Sequence, residues 1–494
     1  MREQNVRKHP KPEYTYTNKT IRMLGINNRQ TLLFHSAIMI IILQIIVWYV
    51  SKISGKSIVI LFYLILVQFF LLLIYYTFYF FPIEGLLSTP LMFGIGTFLY
   101  YFSIPLELTI RKMDFYTMKV YGSVLLDDVV KTKIIAMGLI AYVAFMLGYS
   151  LSKYPNELKK DVRKIKCPNY HFYLILGLLS SGALIIFYRG ELLSTGTSYS
   201  NAYLVRGSSS VFSFLTKFTI LVFVLGGAFL ILNQSKILKA SGYGLIFSCL
   251  IWGIYSFDKD PILIAALGIM APFLINRSFN RYPLYKVILV FMILILIIPL
   301  LSSIFSLYRG NAIQDVFAKI KDRGVYLRFD SAGPFVSIIY CLFESPEKKL
   351  GLSYINSLVS WIPKFIWENR PLDLSLSFAQ INIKGWMPGM GLGFSLLAES
   401  YANFGPLGPL IQYLFLGFSW GLLWKGFFRF ALVNQKQEIK IFYAVFGNYL
   451  LLTMHRAPVS GIVVQIMQFA IPLLILRRLF NNKRRLQSED IMAS

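Results

Sequence analysis

The sequence predicts an all-α, polytopic membrane protein with about twelve transmembrane helices, and two observations carry that prediction. Hydrophobic residues make up 56% of the 494 residues and charged residues only 15%, whereas about 25% of the residues of a soluble domain are charged. Apolar runs of about 20 residues, long enough to cross a bilayer, recur from residue 32 to residue 476. The composition therefore excludes a soluble globular protein.

Hydropathy places the predicted spans at the following positions. They are residues 32–50, 58–81, 85–105, 133–151, 170–188, 215–233, 243–257, 262–276, 287–305, 405–424, 441–454 and 462–476. With the N-terminus inside, more than half of the 49 basic residues fall in the inner tails and loops, which include 152–169 and 425–440. This asymmetry satisfies the positive-inside rule and predicts a multi-pass membrane protein with both termini on the cytoplasmic side. The net charge of +26 is thereby assigned to topology and contact with membrane lipids, and no nucleic-acid partner is expected.

The predicted organisation is asymmetric. A cytoplasmic tail at 1–31 precedes nine helices within 32–305, a large outer loop at 306–404, three further helices within 405–476 and a cytoplasmic tail at 477–494. The outer loop is too long for an ordinary connection, and it is rich in aromatic residues, including Trp361, Trp367 and Trp386. We expect a folded cap of short helices on the membrane surface. Its aromatic residues either stack on sugars or form the core of the cap, and the core is favoured.

Basic residues on the outer side need a reason other than topology, because the positive-inside rule depletes them there. The tripeptide Tyr-Arg-Gly emerges twice at the outer surface, at Arg189 and at Arg309. A guanidinium pairs with phosphate in a bidentate way, as binding of a lipid diphosphate requires. The alternative is that Tyr and Arg at helix ends anchor the protein in the interface. The candidate diphosphate-binding residues are Arg189, Arg206, Arg309, Arg328, Arg370 and Arg456.

A second group of candidates follows a glycine series that ends at Gly393. Residues 394–404 have the content of three helical turns, closed by Gly405 as a C-cap and by Pro406 as a stop. Glu399 and Asn403 then share one face, and a lone carboxylate on an apolar helix is costly unless it is paired or used. Desolvation is expected to raise the pKa of Glu399, as a general base requires. The alternative is a structural hydrogen bond or an arginine partner for Glu399.

Weaker candidates lie elsewhere on the predicted outer side. His455, at the outer end of the eleventh helix, is an alternative base that is expected to face the same cavity as Glu399. Asp330 pairs with Arg328 or lines the acceptor site, and the sequence does not separate these roles. Asp258 and Asp260 are read as helix-capping residues ahead of Pro261 rather than as a metal site. The chain has no Gly-rich phosphate loop of the nucleotide type, which argues against a nucleotide-sugar donor or ATP.

The motif that begins Glu399-Ser-Tyr-Ala-Asn-Phe-Gly405, after the Trp361-Ile-Pro motif and a large late outer loop, resembles the Wzy-type O-antigen and repeat-unit polymerases. The specific motifs that carry the resemblance lie only within about residues 305–410. It implies a GT-C-like fold and glycosyl transfer at the periplasmic face of the bacterial inner membrane, without a metal or another cofactor. The implied substrate is an oligosaccharide linked to undecaprenyl diphosphate, and a chain-length regulator is a candidate partner.

Under this resemblance Glu399 is the expected base, with Asp330 or His455 as alternatives, and Tyr401 and Asn403 are the candidate substrate-binding residues. The family's basic periplasmic residues map by type onto Arg189, Arg309 and Arg328. Two other functions remain open. An O-antigen ligase would use similar arginines with a different acceptor. A flippase for lipid-linked oligosaccharides would need a charged path through the membrane and would have small outer loops.

Overall fold

The computed structural model describes most of the chain in separate stretches. These are residues 27–49, 56–84, 88–111, 127–152, 170–195, 210–233, 235–256, 258–275, 332–344, 348–362, 366–371, 373–382, 393–433 and 437–467, with the single residues 473 and 478. Every regular element in these stretches is helical. The all-α prediction is therefore confirmed for this part of the chain.

The helices follow one another along the chain in this order. They are α1 (Asn27–Tyr49), α2 (Lys56–Glu84), α3 (Thr89–Thr97), α4 (Ser103–Arg111), α5 (Asp128–Leu151), α6 (Tyr170–Phe187), α7 (Arg189–Thr195), α8 (Ser210–Ile231), α9 (Lys236–Tyr255), α10 (Lys259–Ile275), α11 (Ala332–Phe343), α12 (Leu352–Val359), α13 (Leu374–Asn382), α14 (Leu396–Phe404), α15 (Gly408–Val433), α16 (Gln437–Phe442), α17 (Asn448–Thr453) and α18 (Val459–Gln465). Turns of π-helix at Phe98–Phe102 and Tyr443–Gly447 join α3 to α4 and α16 to α17.

Seven helical stretches of the described chain have the length and the apolar composition to cross a membrane. They are Lys56–Thr77, Thr89–Thr109, Asp128–Leu151, Tyr170–Phe187, Phe214–Ile231, Lys236–Tyr255 and Leu396–Trp424. The protein is thus a helical, multi-pass membrane protein, and each of the seven overlaps a predicted span. Of the remaining predicted spans, 32–50 and 262–276 correspond to α1 and α10. The span at 287–305 lies outside the described residues. So do most of the residues after 467 in the last span, 462–476.

One predicted boundary needs correction. The tenth span was expected to begin at residue 405, directly after the outer loop, but the helical stretch begins at Leu396. Gly405 closes α14 with a positive φ of 62°, as the predicted C-cap does. Pro406 lies in a single 3-10 turn, Gly405–Leu407, after which α15 begins. Gly405 thus ends α14 as predicted, and one 3-10 turn separates α14 from α15, so the apolar helical stretch as a whole begins nine residues before the predicted span.

The interior of the bundle is built around α5, whose side chains are almost all buried. A Cβ at Gly148 of α5 would collide with the carbonyl oxygen of Leu414 in α15, and a Cβ at Gly417 of α15 would collide with the carbonyl oxygen of Phe145. Small residues on both helices therefore allow the two backbones to touch, as is common in membrane helix packing. Around this pair lie α1, α2 and α3, and a second group consists of α6, α8, α9 and α10.

Helix α14 is fixed in position at both ends. At its start the hydroxyl of Ser395 accepts a hydrogen bond from the N–H of Ala398 (2.9 Å), and the N–H of Ser395 donates to Ser337 of α11 (2.9 Å). At its other end a Cβ at Gly408 would collide with the carbonyl oxygen of Ser400, so α14 folds closely onto the first turn of α15. These contacts fix α14 between α11 and the start of α15.

Candidate functional site

Glu399 is completely buried at the centre of α14. One carboxylate oxygen accepts a hydrogen bond from the hydroxyl of Ser353 in α12 (2.8 Å), and the other accepts one from the N–H of Val459 at the start of α18 (2.6 Å). Among the described residues, no lysine or arginine forms an ion pair with it. Lys349 acts on Glu399 electrostatically without an ion pair, so the two hydrogen bonds are what hold the buried carboxylate in place.

Asn403 lies one turn after Glu399 on the same face, as the sequence predicted. Its amide nitrogen donates to Ser353 (2.7 Å) and to the carbonyl of Glu399 (2.9 Å), and its oxygen accepts from the N–H of Gly351 (2.9 Å). Both amide hydrogens and the oxygen are therefore engaged inside the protein. Asn403 orients Ser353 towards Glu399, and a direct role in substrate binding stays a prediction, as it does for the half-buried Tyr401.

The carboxylate of Glu399 lines a cavity of about 140 Å³ between the cap and the bundle. By the same measure a single water needs only about 10–15 Å³. Most of the lining residues are polar or charged, and they come from α12 and α13 with the residues that flank them, from α14 and from α18. The lining consists of Lys349, Leu352, Ser353, Asn356, Ser357, Ser360, Pro371, Asp373, Leu374, Glu399 and Ser460. Hydroxyl and amide groups next to a carboxylate are suited to hold a sugar hydroxyl.

Two charged residues of this cavity, Asp373 and Lys349, were missed by the sequence analysis. Asp373 accepts a hydrogen bond from the N–H of Ser375 (2.9 Å). Burial raises the pKa of Asp373, although this hydrogen bond, Ser460 and the charge of Arg370 lower it in part. Asp373 follows two residues after the Arg370-Pro371 pair, but it is one of eight acidic residues in 306–404, so composition alone did not single it out. Nor did composition single out Lys349.

His455 does not belong to the lining of this cavity, so the expectation that it faces the same cavity as Glu399 is wrong. Its ring is completely buried and packs against Phe93, Tyr100 and Tyr101. Nε2 lies 3.2 Å from the carbonyl oxygen of Phe93, and Nδ1 lies 3.3 Å from the hydroxyl of Tyr101. The ring therefore lies in the aromatic core, because the 3-10 turn at Met454–Arg456 directs it towards α3.

Three of the predicted diphosphate-binding arginines lie in the described part. Arg370 is half-buried and donates from Nη1 to the carbonyl oxygens of Ser360 and Ile362. Arg456 pairs with the buried Asp260 at 3.5 Å. Arg189 is exposed at the first position of α7. None of the three is among the residues that line the Glu399 cavity, and diphosphate binding stays a prediction for each.

Ion pairs connect the start of α10 to α8 and to Arg456. Asp258 accepts a hydrogen bond from the N–H of Asp260 (3.1 Å), as a capping residue does. The carboxylate of Asp260 pairs with Lys217 of α8 (3.4 Å) as well as with Arg456. Sequence analysis placed Asp260 in a cap and Arg456 at a phosphate, but it could not pair two residues separated by almost 200 positions.

The aromatic core expected for the cap is wrong for two of its tryptophans. Trp361 and Trp367 are exposed to 40% and 41%, because the interior of the cap beside α12 is occupied by serines and Glu399. Trp386 lies outside the described residues, as do four candidate site residues. These are Arg206, Arg309, Arg328 and Asp330.

Residues 371–484 match the family model of the O-antigen polysaccharide polymerase Wzy. The match covers less than a quarter of the chain, and it includes Asp373, Glu399 and Ser460, three residues of the cavity. The resemblance predicted from the Glu399 motif is therefore confirmed. No curated protein and no solved structure matches the chain.

Proposed function

We propose that this protein is a polymerase that joins oligosaccharide repeat units linked to undecaprenyl diphosphate at the periplasmic face of the bacterial inner membrane. The product is an O-antigen or a related surface polysaccharide. One observation carries the proposal. Glu399 is a buried carboxylate that forms no ion pair in the described part of the chain, it opens onto a cavity lined mostly by polar residues, and it lies in the stretch that matches the polymerase family.

In the proposed reaction a sugar hydroxyl of an incoming repeat unit occupies the cavity. Glu399 takes the hydroxyl proton as the acceptor oxygen forms a bond to the anomeric carbon of the growing chain. The bond between that carbon and the diphosphate breaks, and undecaprenyl diphosphate leaves with the electron pair. Attack from the face opposite the diphosphate inverts the anomeric centre, and this stereochemistry rests on analogy with the family.

The proposed mechanism needs no metal or nucleotide because of its leaving group. A diphosphate is already a good leaving group, so the protein needs mainly to stabilise the charge that develops on it. We assign this role to the outer arginines, first of all Arg189, Arg309 and Arg328. The ion pair of Arg456 with Asp260 and the two carbonyl contacts of Arg370 favour structural roles for those two residues.

Electrophoresis of surface polysaccharide from a strain that lacks this protein tests the proposal. A polymerase predicts loss of the ladder, with a single repeat unit still attached to the lipid core. Loss of all repeat units would indicate a ligase or a flippase and would contradict the proposal. Re-expression of the wild-type chain should restore the ladder, which controls for effects on neighbouring genes.

A further inference from the structure

Helix α12 has its polar side inside and its apolar side outside. Ser353, Ser357 and Ser360 follow one another at helical spacing, are buried and line the Glu399 cavity. On the opposite side Ile355 and Leu358 are each exposed to 65%, and Leu352, which also borders the cavity, is exposed at the start of the helix. A short helix on a water-exposed cap would have the reverse pattern, with its leucines inside. The exposed row therefore needs an apolar environment outside the protein.

The residues on either side of α12 have the chemistry of a membrane interface. The exposed Trp361 and Trp367 follow the helix, and tryptophan rings concentrate at the level of the lipid headgroups. Lys348 and Lys349 precede it and are exposed, so their charges complement anionic headgroups. Ile366 adds a further exposed apolar side chain. An apolar row flanked by tryptophans and lysines is typical of a helix that lies in the interface.

The turn into α12 gives a second, independent indication. Leu350 has a positive φ of 44°, a conformation that leucine rarely adopts, and its side chain is 76% exposed. Hydrogen bonds from the N–H groups of Lys349 and Leu350 to the carbonyls of Ala402 and Asn403 hold the turn against the end of α14. Glycine or asparagine would suit this backbone better, so an exposed leucine here indicates a favourable contact for its side chain.

The position of α12 connects it to helices that face lipid. The hydroxyl of Tyr354 donates to Gln412 in the second turn of α15 (2.7 Å). Ile411 precedes Gln412 and Phe415 follows it by three residues, and both are exposed on this membrane-spanning helix. The apolar row of α12 is thus attached to the part of α15 where a lipid-facing surface begins.

We propose that Leu350, Ile355 and Leu358 insert into the bilayer where headgroups meet acyl chains, so that α12 is an interfacial membrane helix. The inner side of the same helix then holds the Glu399 cavity at the depth of the lipid phosphates. This is the depth at which the diphosphate of a membrane-anchored donor lies, and naming the outer leaflet rests on the proposed function. The insertion itself does not depend on that function.

Fluorescence quenching by lipid tests the insertion. Single cysteines at Ile355 and Leu358, in a background without the native cysteines, are labelled with an environment-sensitive fluorophore. The protein is reconstituted into vesicles of phosphatidylcholine and phosphatidylglycerol, with or without bromine atoms on the acyl chains. Phe415→Cys on α15 is the lipid-facing control, and the same fluorophore coupled to free cysteine in solution is the aqueous control.

The expected result is clear quenching at positions 355 and 358 by bromines near the headgroups, weaker quenching there by bromines deep in the chains, and none of the free conjugate in solution. Absence of quenching at both positions while position 415 is quenched would overturn the proposal, because water or another protein surface would then cover α12. Polymerisation by the labelled variants is measured separately. Insertion with no polymerase activity in the wild type would therefore contradict the proposed function alone.

Discussion

Glu399 and His455 are both completely buried and both were candidates for the catalytic base, yet their surroundings differ. Glu399 faces serines, an asparagine and a polar cavity, whereas His455 is enclosed by the rings of Phe93, Tyr100 and Tyr101. A base must reach the proton that it removes. The comparison teaches that burial of a titratable group indicates catalysis only where a space for the substrate adjoins it.

The largest effect is expected at Glu399 itself. Glu399→Gln keeps the size of the side chain but removes the ability to accept the acceptor's proton, so polymerisation should fall by about a hundredfold to ten-thousandfold. The measurement is polysaccharide ladder length together with the level of folded protein in the membrane. Glu368→Gln, an exposed glutamate of the cap, is the matched control and should be fully active. A normal ladder from Glu399→Gln would transfer the role of the base to Asp330 or His455.

A smaller effect is expected when the support of Glu399 is weakened. Ser353→Ala removes the hydroxyl that donates to Glu399 and leaves an amide hydrogen of Asn403 without its acceptor. A hydrogen bond to a charged group contributes about 1.5–3 kcal/mol, so activity should fall by roughly tenfold or more. Ser357→Ala lines the same cavity on the same helix and should have little effect. Equal activities of the two variants in a purified assay would contradict a specific role for Ser353.

At Asp373 the expected effect is on substrate binding. Asp373→Asn replaces a cavity carboxylate that can accept a hydrogen bond from a sugar hydroxyl, a contact of about 0.5–1.5 kcal/mol. KM for the acceptor should therefore rise about twofold to tenfold, while kcat changes little. Steady-state kinetics with varied acceptor separate the two constants. A drop in kcat with constant KM would instead place Asp373 in the chemical step.

The smallest effect on activity is expected at His455. His455→Gln removes a ring that fills the aromatic core. The free energy of unfolding in detergent should therefore fall by about 1–3 kcal/mol, while activity per folded molecule is retained. Thermal unfolding and specific activity are measured on the same preparation. Loss of activity at unchanged stability would reverse the comparison and make His455 the base.

The sequence was most informative about local structure. Helix α14 was predicted within two residues of its ends, with Gly405 as its C-cap, because capping depends on residues close to one another in the chain. That Glu399 and Asn403 share one face of α14 followed from helical spacing in the same way. Helix α12 was not predicted, since its apolar and polar stripes are too short to be distinguished from a loop.

By itself the sequence determined that this protein is helical and crosses a membrane several times. It also determined that Glu399 lies on a short helix, in a motif that resembles the repeat-unit polymerases. Composition, hydropathy and capping carry that information locally. Only the tertiary structure decided which polar groups share the Glu399 cavity, since Ser353, Asp373 and Ser460 approach Glu399 from different segments. It also decided that His455 belongs to the core and that Arg456 pairs with Asp260. Such pairings depend on how the helices pack, and packing between distant segments leaves no periodic signal in one sequence.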